Sequence, residues 1–224
     1  MKAVEEAVCG LSGLEQISEG TQSTRGIHRT VVFAYEARAP AREGLSASII
    51  LEMGIRGGAY PTAVRRLQSM LGAALAQRGI DDESIQPFDM TVLHPRRTLV
   101  EKLFAIHCAC ELWLEGRTSA MDRQTRHLSD IYALLGDEDV AAFVGSAEYH
   151  ELIPEIDGFG RTYFSRDHRT PDGLRFGGSR SLAPDEALRA AIESEYARNR
   201  FLFFGEFPEL QAIFDRIEAF RGRL

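Results

Sequence analysis

The stretch from Arg96 to Leu135 constrains the fold most strongly, because its two halves carry two different helical patterns. With about 100° of rotation per residue, the first half is apolar on nearly every side, whereas the second half has one apolar stripe and one polar stripe. Thr98 and Glu101 have the spacing of a capping box, which predicts where the first helix begins. The sequence therefore predicts two helices joined by a short polar loop.

Lys102 and Asp130 hold the most informative positions in this helical hairpin. Lys102 shares a flank of the first helix with apolar residues only, and Asp130 lies on the polar stripe of the second helix beside Arg126 and His127. If the helices pack antiparallel, Lys102 lies roughly 20 Å and Asp130 roughly 12 Å from the loop, a difference that a lysine side chain can largely close. Either the two residues meet in one site, or Lys102 extends to water and Asp130 lies on a solvated face.

The composition favours an ordinary globular protein and excludes several functions. The chain has 224 residues, enough for one large domain or two small ones, and its net charge of −7 provides no global basic field to attract nucleic acid. Cys9, Cys108 and Cys110 lack the C-x-x-C spacing of a zinc site or a disulfide framework. No apolar run reaches about 18 residues, and the N-terminus does not resemble a signal peptide, so we expect a cytoplasmic protein without a membrane partner.

Strands precede helices along the chain, an order typical of the α+β class. The second predicted strand is expected to be buried on both faces, because Ile49, Ile50 and Leu51 form a continuous apolar run. The segment 154–181 is rich in glycine and is predicted to be irregular. The other predicted elements are a short helix within 1–19, a loop over 20–29, strands at 30–37, 45–55 and 88–93, and helices over 62–79, 137–150, from Pro184 to about Phe201 and from Pro208 onward.

Three segments outside the hairpin are candidates for ligand contacts. Glu52 ends the second strand just before a glycine turn, where sheet-based sites often collect ligands and metals, although a strand-end residue facing water fits the same pattern. The backbone amides of the glycine-containing stretch Gly54–Pro61 can approach an anion, or they form a plain turn. The third segment is the irregular one, whose arginines form either a phosphate-contacting patch or a solvated loop: Arg161, Arg166, Arg169, Arg175 and Arg180.

Four stretches resemble the nucleotidyltransferase family of AbiEii/AbiGii-type toxins. They are IILEMGIRGGAYP at 49–61, HPRRTLVEKLFAIHC at 94–108, RQTRHLSDIYALL at 123–135 and RFLFFGEFPELQAIFDRIEAF at 200–220, within a resemblance that runs from about residue 30 to the C-terminus. The resemblance implies a partial polymerase-β-like nucleotidyltransferase α/β region over 1–95, followed by a mainly helical region over 96–224. It also implies abortive infection or a toxin–antitoxin system, with a nucleoside triphosphate and Mg²⁺ at the site, an RNA acceptor and an antitoxin as partner.

The resemblance assigns roles to individual residues. Lys102, in VEKL, matches the family lysine that contacts the triphosphate, and Asp130, in RHLSD, matches the aspartate of the following helix, so both are expected to be catalytic. Glu52, in LEMG, is similar to the acidic residue beside the metal. Arg56 matches the basic position that follows, and Arg126 accompanies Asp130, so both are expected to contact the nucleotide.

One element of the family pattern is missing from this sequence. The family's first motif is a Gly-Ser or Gly-Thr-Ser turn followed by two aspartates one residue apart, and Gly20–Ser23 has no such pair after it. Because phosphoryl-type transfer relies on carboxylates that hold divalent metals, Glu52 alone does not make a two-metal site. The chain resembles the latter part of a family member. We expect it to bind nucleotide but to be incomplete for transfer by itself, as a truncated, split or degenerate form that a second chain can complete.

Two other functions fit parts of the sequence. The first is a non-catalytic interaction module, in which an incomplete sheet leaves an exposed edge that pairs with a second copy or another partner. The second is a metal-independent RNase that uses Arg126, His127 and the arginines of segment 154–181. A helical Arg/His pair is common by chance, so the RNase reading is the weakest of the three.

Overall fold

The computed structural model describes residues 1–24, 27–38, 46–54, 58–203 and 205–224. Within them, the first 93 residues carry two small antiparallel sheets, and the residues after them are mainly helical. This arrangement confirms the predicted α+β class. No helix in the described part of the chain is long and apolar enough to span a membrane.

The first sheet has three antiparallel strands in the order β1 (Leu14–Thr24), β2 (His28–Tyr35) and β3 (Ser48–Gly54), preceded by the helix α1 (Lys2–Cys9). Helix α1 confirms the short helix predicted within 1–19, whereas strand β1 corrects the loop predicted over 20–29, since it continues to Thr24. It is an edge strand whose side chains are mostly polar and exposed, so the alternation that would have revealed it is weak.

Strand β3 corrects the prediction of a strand buried on both faces. Ile49 is 47% exposed and Ile50 is 59% exposed, and among the described strands β3 pairs only with β2. A continuous apolar run does not by itself say whether other elements cover it. The buried apolar residues of this sheet lie instead in the central strand β2, at Val31, Val32 and Phe33.

The second sheet is a pair of antiparallel strands, β4 (Thr62–Leu67) and β5 (Phe88–Leu93), with the short helix α2 (Met70–Ala76) and a 3₁₀ turn between them. Strand β5 has the predicted bounds. Strand β4 and helix α2 correct the single helix predicted over 62–79. The helical spacing of Val64 and Leu67 is overridden by pairing with β5, which no local pattern reveals.

The mainly helical region contains six α-helices in its described residues. They are α3 (Pro95–Leu114), α4 (His127–Leu134), α5 (Glu138–Phe143), α6 (Ala147–Tyr163), α7 (Glu186–Arg198) and α8 (Leu210–Phe220). Helices α3 and α4 form the predicted hairpin. Their apolar stripes meet in one core, in which Leu99, Leu103, Ile106 and Ile131 are fully buried.

Helix boundaries differ from the predictions where local signals compete. Helix α3 begins at Pro95, with His94 as its N-cap, so the predicted capping box is wrong: Thr98 donates to the His94 carbonyl and Glu101 binds Arg97. The helix predicted over 137–150 is divided, because Ser146 caps a new helix.

The positions of three prolines relative to the helices also differ from the predictions. Helix α6 continues through Pro154 into the segment predicted to be irregular, because Ile153 and Ile156 on either side of that proline are buried in the core. Pro184 and Pro208 do not open helices α7 and α8 but precede their N-cap residues, Asp185 and Glu209. The division of the chain at residue 95 into two domains stays a prediction.

We expect Leu103→Ala to lower the free energy of unfolding by about 2–5 kcal/mol, because Leu103 is fully buried in the core that joins α3 to its neighbours. Urea denaturation measures this change. Leu71→Ala is the matched control, since Leu71 is 61% exposed in α2, and we expect a change within about 0.5 kcal/mol. Equal losses in the two variants would contradict the described core.

Candidate functional site

Lys102 and Asp130 lie next to each other. The Lys102 Nζ is 3.4 Å from the Asp130 Oδ2, a distance that joins helix α3 to helix α4. The hairpin thus brings the cation and the carboxylate together, which is the first of the two alternatives that the helical geometry leaves open. The side chain of Lys102 is 29% exposed and that of Asp130 is 46% exposed, so a ligand in solvent can reach both.

His127 is the third member of this cluster. Its Nδ1 lies 3.0 Å from the same Asp130 Oδ2, and its side chain is largely buried. Because a carboxylate only accepts hydrogen bonds, the Nδ1 of His127 carries the hydrogen and donates it. The sequence places His127 on the polar stripe. In the structure it is buried, and its hydrogen bond holds one oxygen of Asp130 in place.

The Asp130 carboxyl is ionised at neutral pH. Partial burial disfavours its charge, but the hydrogen bond from His127 and the charge of Lys102 outweigh burial and hold the pKa of Asp130 below its ordinary value. The site therefore presents a cation and an anion side by side. Lys102 is one of only two lysines in the chain, the other being Lys2.

Arg126 is exposed at the N-cap position of α4, one residue before His127. Arg126 has no ion pair among the described residues. The spacing of four residues would allow it to pair with Asp130, but the partners of Asp130 are Lys102 and His127. An exposed, unpaired guanidinium on the rim of the cluster is available to an anionic ligand. Its predicted nucleotide contact stays a prediction.

The structure gives less support to the predicted metal ligand, Glu52, and to the predicted nucleotide contact Arg56 than to the hairpin residues. Glu52 is exposed in strand β3, opposite Thr30 of β2, and no ion pair joins it to another described residue. Arg56 lies outside the described residues. Within the described ranges, no three His, Cys, Asp or Glu side chains are grouped so that they could hold a metal ion.

The chain contains one D-x-D spacing, Asp137-Glu138-Asp139, which lies after the hairpin. Its carboxylates already have structural partners. Asp137 accepts the backbone N–H groups of Asp139 and Val140 and so caps α5, and Asp139 binds Arg96. Asp137 and Asp139 therefore do not fit a Mg²⁺ site, and we derive no chemical step through one.

Arg97 is a buried residue near the site that sequence reasoning missed. Its Nε donates to the Glu101 Oε1 at 2.9 Å, and its Nη1 donates to the Tyr60 carbonyl at 2.5 Å and to the Glu155 Oε1 at 2.9 Å. A side chain at Gly58 would collide with the guanidinium. Arg97 thus fastens segment 58–61, which follows the predicted nucleotide-contacting Arg56, to helix α3. No local signal distinguishes Arg97, because Arg96 and Thr98 beside it are also polar and its partners Tyr60 and Glu155 are distant in sequence.

The arginines of the predicted basic patch are largely paired. Three of them bind carboxylates, in the pairs Arg161–Asp157, Arg169–Glu115 and Arg180–Glu111. Much of the positive charge that suggested a phosphate contact is therefore offset within the protein. Of the two helical residues that lead to the RNase hypothesis, His127 is already occupied, since it donates to Asp130.

Residues 1–217 match the family model described as the nucleotidyl transferase AbiEii toxin of type IV toxin–antitoxin systems. The chain belongs to this family. The match includes the first 29 residues, which the resemblance read from the sequence did not cover. No curated protein and no solved structure matches the chain.

We expect the stabilisation that Asp130 provides to disappear at low pH. Its folded-state pKa is lowered from that of an unfolded aspartate, about 3.9, so the stabilisation is present above that value and is lost as the pH falls through the folded-state pKa. Urea denaturation of the wild type and of Asp130→Asn at several pH values between about 3 and 7 measures the difference. Asp122→Asn is the control, since Asp122 is exposed and has no ion pair among the described residues. A difference for Asp130→Asn that does not change with pH would contradict the described contacts.

Proposed function

We propose that the chain binds a nucleoside triphosphate at the cluster of Lys102, His127 and Asp130, as a step in nucleotidyl transfer. The observation that carries the proposal is the 3.4 Å contact between Lys102 and Asp130, in a chain of a nucleotidyltransferase family. An ammonium group has three donors, so Lys102 can keep its contact with Asp130 and still donate to a phosphate oxygen. The structural alternative is a salt bridge that only joins the two helices.

The three residues have different parts in this proposal. Lys102 contacts the triphosphate, Asp130 holds the ammonium group in place, and His127 holds the carboxylate. Arg126 and Arg56 are proposed as further nucleotide contacts, since each can supply a guanidinium to phosphate. Arg97 is a positioning residue, because it ties segment 58–61 to the helix that carries Lys102.

The charge of Asp130 favours a particular form of the nucleotide. A carboxylate beside the ammonium group repels a free triphosphate, whereas a triphosphate that arrives with Mg²⁺ has part of its charge offset. Mg²⁺ in nucleotide sites is usually held by one or two carboxylates together with the phosphates. We therefore propose the magnesium complex as the bound species, with Glu52 as its expected carboxylate ligand.

We further propose that this chain alone transfers nucleotides poorly. The sequence lacks a Gly-Ser turn followed by D-x-D, and the described residues contain no group of three metal-ligating side chains. A second chain that supplies the missing carboxylates would complete the site. The proposed wider setting is a cytoplasmic toxin–antitoxin system, with an RNA acceptor and an antitoxin as partners.

We expect calorimetric titration to show saturable binding of at least one nucleoside triphosphate with Mg²⁺, and weaker binding without Mg²⁺. Lys102→Ala should weaken binding by about 10- to 100-fold, because a hydrogen bond to a charged group contributes about 1.5–3 kcal/mol. Each of the four common nucleoside triphosphates is tested in turn.

Lys2→Ala is the matched control for this titration, since it removes the chain's other lysine, which is exposed on α1. Equal binding by Lys102→Ala and the wild type would contradict the proposed site. Appreciable transfer by the purified chain, abolished in Lys102→Ala, would show that the missing motif is dispensable.

An interaction module is the second candidate function, and one observation favours it. The two-stranded sheet of β4 and β5 exposes Val64 on one face and Phe88 and Met90 on the other, each by half or more. Phe88 and Met90 are two residues apart on the same face, and exposed apolar surface of this kind often marks a protein interface. No binding of any triphosphate in the titration would favour this function over the nucleotide site.

A further inference from the structure

A cavity of about 650 Å³ lies between α3, α6 and the segment that follows α6. Its volume is within the range of small-molecule sites. Neither Lys102 nor Asp130 lines it, so it is separate from the proposed nucleotide site. Its walls are mainly apolar and include Phe104, Leu112, Ile156 and Phe159.

A cysteine, a histidine and an aspartate form a chain of contacts beside this cavity. The Cys108 Sγ lies 3.9 Å from the His168 Nδ1, and the His168 Nε2 lies 2.6 Å from the Asp157 Oδ1. Cys108 and His168 both line the cavity. This is the order of nucleophile, base and orienting carboxylate found in nucleophilic sites.

Asp157 determines which nitrogen of His168 carries the hydrogen. Burial disfavours the carboxylate, but hydrogen bonds from Thr170 and His168 outweigh burial and keep the pKa of Asp157 below its ordinary value. As a carboxylate it can only accept, so the Nε2 of His168 is the donor. In the neutral imidazole the Nδ1 of His168 then carries no hydrogen, and this nitrogen faces the thiol of Cys108.

The surroundings hold this arrangement in place. The Asp157 side chain is 1% exposed and also binds Arg161. Gly160 lets the ring of His168 lie against α6, because a side chain at that position would collide with the imidazole. A base held in this way is ready for proton transfer without a large rearrangement.

Cys108 rests as a thiol. Burial raises the pKa of the Cys108 thiol above its ordinary value, although the backbone N–H of Arg169, which donates to the Sγ at 3.2 Å, opposes that rise. The thiol hydrogen has two acceptors in reach, the Arg169 carbonyl at 3.5 Å and the His168 Nδ1. The sulfur therefore becomes nucleophilic only when His168 accepts its proton.

We infer that Cys108 is a covalent modification site for small apolar compounds with a carbon–carbon double bond conjugated to a carbonyl. The apolar cavity would hold the body of such a compound. The Cys108 proton moves to the His168 Nδ1, and the sulfur electron pair forms a bond to the β-carbon of the compound. The double-bond electrons move to the carbonyl as an enolate, and His168 returns the proton to the α-carbon. Nothing leaves, and no oxidant is needed.

Addition fits the site better than acyl transfer does. Acyl transfer builds charge on a tetrahedral oxyanion, which needs hydrogen-bond donors aimed at that oxygen. The backbone N–H beside the sulfur, that of Arg169, already points at the sulfur itself. Addition spreads the developing charge over the oxygen and the α-carbon of the enolate, so it depends less on such donors, and His168 supplies the base that takes and returns the proton.

The test is the reaction of the full-length chain with N-phenylmaleimide, an apolar conjugated carbonyl compound, followed by mass spectrometry of the peptides that contain each cysteine. We expect the rate at Cys108 to saturate with probe concentration and to exceed the rate at Cys110 at least tenfold. Cys110 is the internal control, because it is buried two residues away and burial raises its pKa to about 12. Cys9 is exposed and should react at a rate linear in probe concentration.

Two variants test the base and its orientation. We expect His168→Gln to slow the reaction of Cys108 at least tenfold, within the contribution of a general base. Asp157→Asn should do the same, because an amide can donate to the Nε2 and so favours the histidine form whose Nδ1 carries the hydrogen. Reaction at Cys9 should not change. Circular dichroism verifies that each variant is folded.

Three results would each overturn the inference. They are a Cys108 rate no higher than that of Cys110, a Cys108 rate linear in probe concentration, and an unchanged Cys108 rate in folded His168→Gln and Asp157→Asn. The first two are measured on the wild type, so the inference can fail even if both variants unfold. None of the three depends on nucleotide binding.

Discussion

The structure depends on one constraint: a long helix that is buried on most sides must find a partner for every polar group it carries. Helix α3 meets this constraint at Arg97 and Lys102 with groups from other parts of the chain. Lys102 is matched by Asp130 of α4, and Arg97 by Glu155 of α6 and the backbone of segment 58–61. The partners of α3 therefore position its neighbours, and both the proposed nucleotide site and the cysteine site lie on this helix.

One buried polar group of α3, in His107, is only partly satisfied, and this costs free energy. The His107 Nδ1 lies 2.7 Å from the Ser179 Oγ, but its buried Nε2 has no hydrogen-bond partner among the described residues. Burial lowers the pKa of His107, so the imidazole is held neutral in the core. A buried group left half satisfied costs about 1–3 kcal/mol, which the apolar contacts of α3 must offset.

The sequence predicts the parts of the fold that local periodicity controls. The hairpin and the meeting of Lys102 with Asp130 follow from the rotation and rise of a helix, which are nearly constant. Strand β4 and the exposure of β3 depend on which distant residues pair or cover them, and one sequence carries no record of that. The role of Arg97 was missed for the same reason, since its partners Tyr60 and Glu155 lie in distant parts of the chain, whereas the contact between His127 and Asp130 lies within the predicted polar stripe.

Family membership and geometry support different parts of the functional proposal. The family match shows a nucleotidyltransferase toxin family, and the Lys102–Asp130 contact marks the proposed place of triphosphate binding. The charge balance of that place explains why the magnesium complex is the proposed ligand. The cysteine, histidine and aspartate at the cavity are not needed for nucleotide binding, so the two sites can be tested separately.

The most direct test of the central claim is a double-mutant cycle on nucleotide affinity with Lys102→Ala, Asp130→Asn and the double variant. If Lys102 and Asp130 act as one unit, the double variant loses less affinity than the sum of the single losses, by a coupling of about 1 kcal/mol or more. Additive losses, or full affinity in all three variants, would show that the contact between α3 and α4 is only structural.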